Sequence, residues 1–156
     1  MGGAAHFDIP SVGRRSQQFY LDCVAVMLAG LASEQLCLGD LSDGAGGGEN
    51  CDLAVATRIA TYAEAKLGMG ASFLHSKAES DEELERIRLH DAGLRARVEK
   101  TLTDQFERAK DILKIKRVLL EMLATELDAN GFLSPQRVIE LEKSIAVSIP
   151  SEPQMI

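Results

Sequence analysis

From Gln17 to Leu38 the chain reads QQFYLDCVAVMLAGLASEQLCL. Its apolar residues Leu21, Val24, Ala25, Leu28, Leu31, Ala32 and Leu36 recur at steps of three and four, the spacing that puts side chains on one face of a helix. Cys23, Val26, Met27 and Ala29 occupy other positions, so the stretch predicts a helix apolar nearly all round, lying in a core rather than on a surface. Gly39 ends it. Upstream, residues 1–16 hold Gly2, Gly3, Pro10, Gly13 and the pair Arg14–Arg15 without periodicity, and read as a loose N-terminal arm.

Downstream the punctuation repeats. Asp40–Glu49 contains four glycines and reads as a loop, after which Asn50 is the expected cap of a second helix over about 51–67. On that helix Leu53, Ala56, Ile59, Ala60, Ala63 and Leu67 share a face. Ser80–Asp81–Glu82–Glu83 has the form of a capping box. It opens a helical period carried by Leu84, Ile87, Leu94, Val98, Leu102, Phe106, Ala109, Leu113, Leu120 and Leu127, interrupted at Asp91–Ala92–Gly93. The second part is expected as one long helix from Gly93 to Leu127, ending at Asp128–Ala129–Asn130–Gly131. Ser134–Pro135 starts a last short helix with Val138, Ile139 and Leu141 inward, and 146–156, with two prolines, reads as a disordered tail. The fold class is therefore all-α. One helical domain over 17–145, a bundle of four to five helices, is expected, with the first and the long helix antiparallel.

Composition narrows the function. The chain has 156 residues, 17 basic against 24 acidic side chains and a pI near 5.0, so a net charge of −7 argues against a phosphate backbone or an anionic bilayer as partner. Neither nucleic acid nor membrane contact is expected. Cys23, Cys37 and Cys51 are an odd set without a C-x-x-C pair, which supports neither a disulfide framework nor a thiolate zinc knuckle; they read as small apolar fillers in a reducing compartment. With no secretory layout at the N-terminus and no run judged long enough to cross a bilayer, the expected location is cytoplasmic.

Ala29–Gly30–Leu31–Ala32–Ser33–Glu34–Gln35–Leu36, followed by Leu38–Gly39, resembles the G-R-A-A-E-E-L-x-x-G helix of FtsH-type ATP-dependent zinc metalloproteases. Asp52–Leu53 with Ala56–Thr57–Arg58–Ile59–Ala60 resembles that family's N-D-L-x-x-A-T-x-x-A helix. Gly68–Met69–Gly70 is similar to its G-M-S turn, Glu107–Arg108–Ala109–Lys110–Asp111–Ile112–Leu113 to its E-R-A-x-x-I-L segment, and Phe132–Leu133–Ser134 to the start of its last helix. The blocks run in the family's order from Val24 to Leu141, about three-quarters of the chain. Leu31, Gln35 and Cys51 depart from the family's arginine, glutamate and asparagine.

The resemblance implies a helical peptidase domain whose zinc is held by two histidines of an H-E-x-x-H helix and by one aspartate of the N-D-L helix. Asp52 is the matching aspartate. Histidines at i and i+4 share a helix face, and the glutamate between them can activate a metal-bound water. No such pair occurs here, because His6 is followed four residues on by Pro10, His75 by Glu79 and His90 by Leu94. In the family the H-E-x-x-H helix and, before it, an ATPase module precede the matched region, so both are expected upstream of Met1. The chain alone is then expected to be inactive, with unfolded proteins as substrates of an intact parent and ATP used by the upstream module. Without the resemblance Asp52 is a first-turn carboxylate at a helix dipole, His75 and Glu79 are solvated, and Gly44–Gly48 is a flexible loop rather than a phosphate cradle. The alternative is a non-catalytic helical module derived from that domain. The first helix, stripped of a partner, is expected to favour self-association.

Overall fold

The structure is a computed structural model and describes residues 13–40 and 47–148. Six helices follow in order: α1 (Gln17–Leu38), α2 (Asp52–Ala65), α3 (Asp81–His90), α4 (Ala92–Ile115), α5 (Arg117–Asn130) and α6 (Pro135–Ser148). No strand occurs among the described residues, so the chain is all-α. The arm before Gly13, most of the glycine-rich loop and the tail beyond Ser148 lie outside the described residues.

Side-chain oxygens set most of the helix starts. Ser16 Oγ accepts from Phe19 N at 3.3 Å, Ser80 Oγ from Glu83 N at 3.2 Å, Asp91 Oδ1 from Leu94 N at 2.9 Å and Ser134 Oγ from Arg137 N at 3.2 Å. The capping box is modified: Glu83 Oε2 accepts from Glu79 N at 2.8 Å rather than from the amide of Ser80. Gly39 and Gly131, at φ 75° and 70°, close α1 and α5 in the left-handed region.

The core gathers Val24 and Leu28 of α1, Ala56, Ala60 and Ala65 of α2, Leu84 of α3, Leu94 and Val98 of α4, and Ala78 of the loop after α2. Alanines on α2 let the helix backbones approach closely, and Met27, Ile59, Leu102 and Phe106 close the edges. Asp22 early in α1 pairs with Arg108 late in α4 at 2.7 Å, while Leu28 and Leu31 share a hollow with Val98 and Leu102. The two helices therefore run in opposite senses, as the sequence led one to expect. The amide of Gln18 and the guanidinium of Arg108 hold the Asp22 carboxyl below its usual range.

Three expectations need correction. First, α1 is not enclosed: Val24, Ala25, Leu28 and Ala32 are buried, but Val26 and Leu38 are 43% and 74% exposed, because α2 and α4 cover only one side of it. At 22 residues, with a mean hydropathy of 1.6 over its most apolar stretch, this helix is also long and apolar enough to cross a bilayer, contrary to the judgement that no run was. Asp22 and Glu34 near its ends leave an uncharged run between them.

Second, the long helix breaks at Lys116 into α4 and α5, which makes six helices among the described residues. Lys116 takes φ −96° and ψ 22°, its N–H bonding Ile112 O and Lys114 O. No glycine or proline marks the spot; the break lets α6 fold back along α5, where Lys116 bonds Glu142. Third, of the residues expected inward on α6, Leu141 is buried at 5% exposure but Ile139 is half exposed. Among the described residues α5 is the helix that packs closely beside it.

The α5–α6 hairpin is tied at its surface rather than in a core, since α5 has no buried residue. Arg137 grips Glu126 with two bonds, Nε to Oε1 at 2.5 Å and Nη2 to Oε2 at 3.0 Å. The bond from Arg137 holds the Glu126 carboxyl below the usual glutamate range, and Lys116 does the same for Glu142. A carboxyl with a lowered native pKa stabilises the hairpin above its unfolded pKa, and that contribution disappears as pH falls through the native value. The Glu126 carboxyl carbon, followed by NMR, is expected to titrate below the ordinary value of about 4.3 and to return to it in Arg137→Ala. An unchanged midpoint in the variant would remove the ion pair from the account of this hairpin.

Candidate functional site

Asp52 is the first residue of α2. The turn before it bonds Cys51 N to Gly48 O at 3.2 Å, and Cys51 Sγ accepts from Ala54 N at 3.4 Å. The thiol caps the helix in place of the expected Asn50, whose Oδ1 instead accepts from Arg58 Nη2 at 3.3 Å. The Asp52 carboxylate is exposed at the positive end of the helix dipole, with no hydrogen bond or ion pair among the described residues. Of the other cysteines, Cys23 is half-buried, as a filler should be, and burial pushes its thiol up; Cys37 is exposed and fills nothing.

A catalytic zinc takes three protein donors and keeps one position open. Asp52 could supply one, and no three His, Cys, Asp or Glu side chains gather among the described residues. His75 and Glu79 lie on the irregular segment after α2, where i,i+4 spacing brings nothing onto a shared face. His75 Nδ1 sits 2.9 Å from Lys66 O and His90 Nδ1 2.7 Å from Arg86 O, so each of these nitrogens carries a proton toward a carbonyl. His6 and Gly44 to Gly46 fall outside the described residues. The described donors do not by themselves fit a catalytic zinc.

Beside Asp52, the turn over 47–51, α2 and α3 enclose a cleft of about 580 Å³. Arg88 Nη1 donates to Thr61 Oγ1 at 3.0 Å, and that hydroxyl donates to Thr57 O at 2.7 Å. Thr61 is only 2% exposed, so the guanidinium is seated on a fixed floor. Arg58 Nη1 donates to Glu49 O at 2.9 Å and its Nε lies 3.8 Å from Asp81, joining the turn to the start of α3. Glu82 and Glu85 complete an acidic rim. The lining can orient a polar ligand, but it contains no histidine, and its one thiol caps a helix rather than meeting a base. Arg58 was singled out by the resemblance alone, while Thr61 and Arg88 had no sequence signal.

At the other end of α2, Glu64 is buried at 6% exposure and its Oε2 accepts from Arg97 Nε at 3.1 Å. The carboxylate fills the space over Gly70, where a Cβ would stand 1.9 Å from Oε1. The glycine is thus required by the acid beside it. Glu64 stands four residues after Ala60 on the inward face, and a charge in that position was a sequence signal for a buried partner. On α1, Gln35 stands where the resemblance has a glutamate, and its Oε1 is buried without a hydrogen-bond partner among the described residues. Compared with known proteins, the chain matches no family model and no curated sequence.

Proposed function

We propose that this chain is the helical C-terminal portion of the peptidase domain of an FtsH-like, ATP-dependent zinc metalloendopeptidase of unfolded proteins, inactive by itself. The order of the resembling blocks supports this, together with the elements on which they fall: the first on α1, the second on α2, the glycine turn directly after α2, the E-R-A block on α4 and Phe132–Ser134 at the start of α6. The observation that carries the reading is Asp52, an exposed carboxylate on the opening turn of α2 with no hydrogen bond or ion pair among the described residues. In an intact enzyme α2 would supply that oxygen as the third zinc ligand, the two imidazoles coming from upstream. Zinc so held polarises a carbonyl and lowers the pKa of its water. Because the described donors do not complete such a site, no catalytic step is assigned to this chain.

The reading is tested by translating the genomic DNA upstream of Met1. An in-frame H-E-x-x-H, preceded by a nucleotide-binding loop, supports it; an upstream frame without the motif overturns it. A second reading, a non-catalytic interaction module derived from the same domain, would then stand. It is favoured by the departures at Leu31, Gln35 and Cys51 and by the exposed apolar side chains of Phe73 and Ile115. The donor count also predicts that the purified chain retains well under one zinc per molecule after dialysis. Stoichiometric zinc, lost on Asp52→Ala, would mean that the missing ligands lie within this polypeptide.

A further inference from the structure

The cleft at the start of α2 turns away from the Asp52 carboxylate. Its lining on α2 includes Thr57 and Thr61, five and nine residues after Asp52, which at about 3.6 residues per turn puts them on the far side of the helix. Asp52 itself does not line it. At about 580 Å³ the cleft falls within the range of small-molecule sites, roughly 300–1,000 Å³. The zinc reading makes no use of it.

Three charged residues of α3, Glu82, Glu85 and Arg88, line the cleft at steps of three, each step a rise of about 4.5 Å along the helix. The order is acid, acid, base. Arg88 is held in place: its side chain is 15% exposed, and Nη1 donates to the buried Thr61 hydroxyl at 3.0 Å. A guanidinium has five N–H donors, and Thr61 takes one of them. The approach of Arg88 Nη2 to Glu85 Oε1, at 3.6 Å, is longer than the roughly 2.7–2.9 Å of a direct charge-assisted bond. Arg58 and Asp81 stand apart in the same way, at 3.8 Å. Opposite charges thus face each other across gaps that the polar groups of a ligand can enter, in a partly desolvated place where their attraction exceeds its value in water. The lining includes four acidic residues, Glu49, Asp81, Glu82 and Glu85, against the two arginines. A matching ligand therefore carries a carboxylate for Arg88 and more than one positive charge for the acids.

We propose that this cleft binds a basic α-amino acid, of which lysine is the type. The ligand carboxylate takes open donors of Arg88, the α-ammonium lies against Glu85, and the ε-ammonium, at the end of a four-carbon stem, reaches Glu82. Its charges then run opposite in sign to the ladder on α3. The proposal does not rest on the peptidase reading, because an upstream frame without H-E-x-x-H leaves the cleft as it is.

Titration of the full chain with L-lysine and two analogues, followed by proton–nitrogen NMR, tests it. L-lysine is expected to bind saturably within about 10 mM, moving the amide signal of Thr61 and the Nε–H signal of Arg88. L-norleucine, which lacks the ε-ammonium, and 1,5-diaminopentane, which lacks the carboxylate, should each bind at least about tenfold more weakly. Arg88→Gln should weaken lysine binding by about tenfold and leave that of 1,5-diaminopentane unchanged, a split that a general loss of fold does not produce. Glu82→Gln, at an exposed position, should weaken lysine and spare norleucine. No saturation with L-lysine by about 10 mM overturns the proposal. So does 1,5-diaminopentane binding as tightly as lysine, which would reduce the cleft to an acidic surface that collects cations, or an Arg88→Gln chain that binds lysine as the wild type does.

Discussion

Leu28→Ala is expected to lower the free energy of unfolding by about 3–4 kcal/mol, as for other fully buried leucines whose neighbours relax only partly. Leu28 is 2% exposed and belongs to the cluster formed with Val24, Ala56, Ala60, Leu94 and Val98. Several of its neighbours are alanines, which have no side-chain freedom with which to refill the space. The cavity therefore stays open, and the cost should fall in the upper part of the range for a large-to-small change. For a chain of this length the midpoint of thermal unfolding should drop by roughly 10 °C. Leu38→Ala, at a position 74% exposed on the same helix, should change stability by less than about 0.5 kcal/mol. If the two variants unfolded alike in urea, α1 would not pack through the face assigned to it.

The contrast between those two leucines shows what periodicity conveys and what it omits. Ser16 and Gly39 bracket α1, and its inward residues recur at three and four, so its limits and its buried face were readable along the chain. How many neighbours it has is a tertiary fact; α2 and α4 occupy one side, and Val26 meets solvent. Asp91 announced the break between α3 and α4 with a capping side chain followed by glycine. Lys116 announced nothing, since Ile112, Lys116 and Leu120 continue a helical spacing; the return of α6 and the Lys116–Glu142 bond accompany that turn. At the candidate site the same division holds. Asp52 was marked by the blocks around it, but its exposure and the cap formed by Cys51 needed three dimensions. Thr61 and Arg88 stand 27 residues apart, and only the packing of α3 against α2 joins them.

Glu64→Ala should cost about 2–3 kcal/mol, somewhat less than the 3–5 kcal/mol typical of breaking a wholly buried pair. The reduction follows from the geometry. The Glu64 side chain is 7% exposed, but that of Arg97 is 31% exposed, so an abandoned guanidinium can recover part of its hydration. Gly70 makes the claim sharper. A methyl group at that position collides with the Glu64 carboxylate, which cannot swing aside without releasing Arg97. Gly70→Ala in the wild type should therefore destabilise by about 2 kcal/mol, while in the Glu64→Ala background the methyl enters space already vacated and costs little. The double-mutant cycle should give a coupling energy of about 1–3 kcal/mol, the range for residues in direct contact. Additive single effects would mean that Gly70 is demanded by its backbone rather than by the acid above it. Arg97→Ala separates the charge from the shape, because it strands a buried carboxylate and should destabilise at neutral pH, while freeing that carboxylate to swing aside and so lowering the cost of Gly70→Ala.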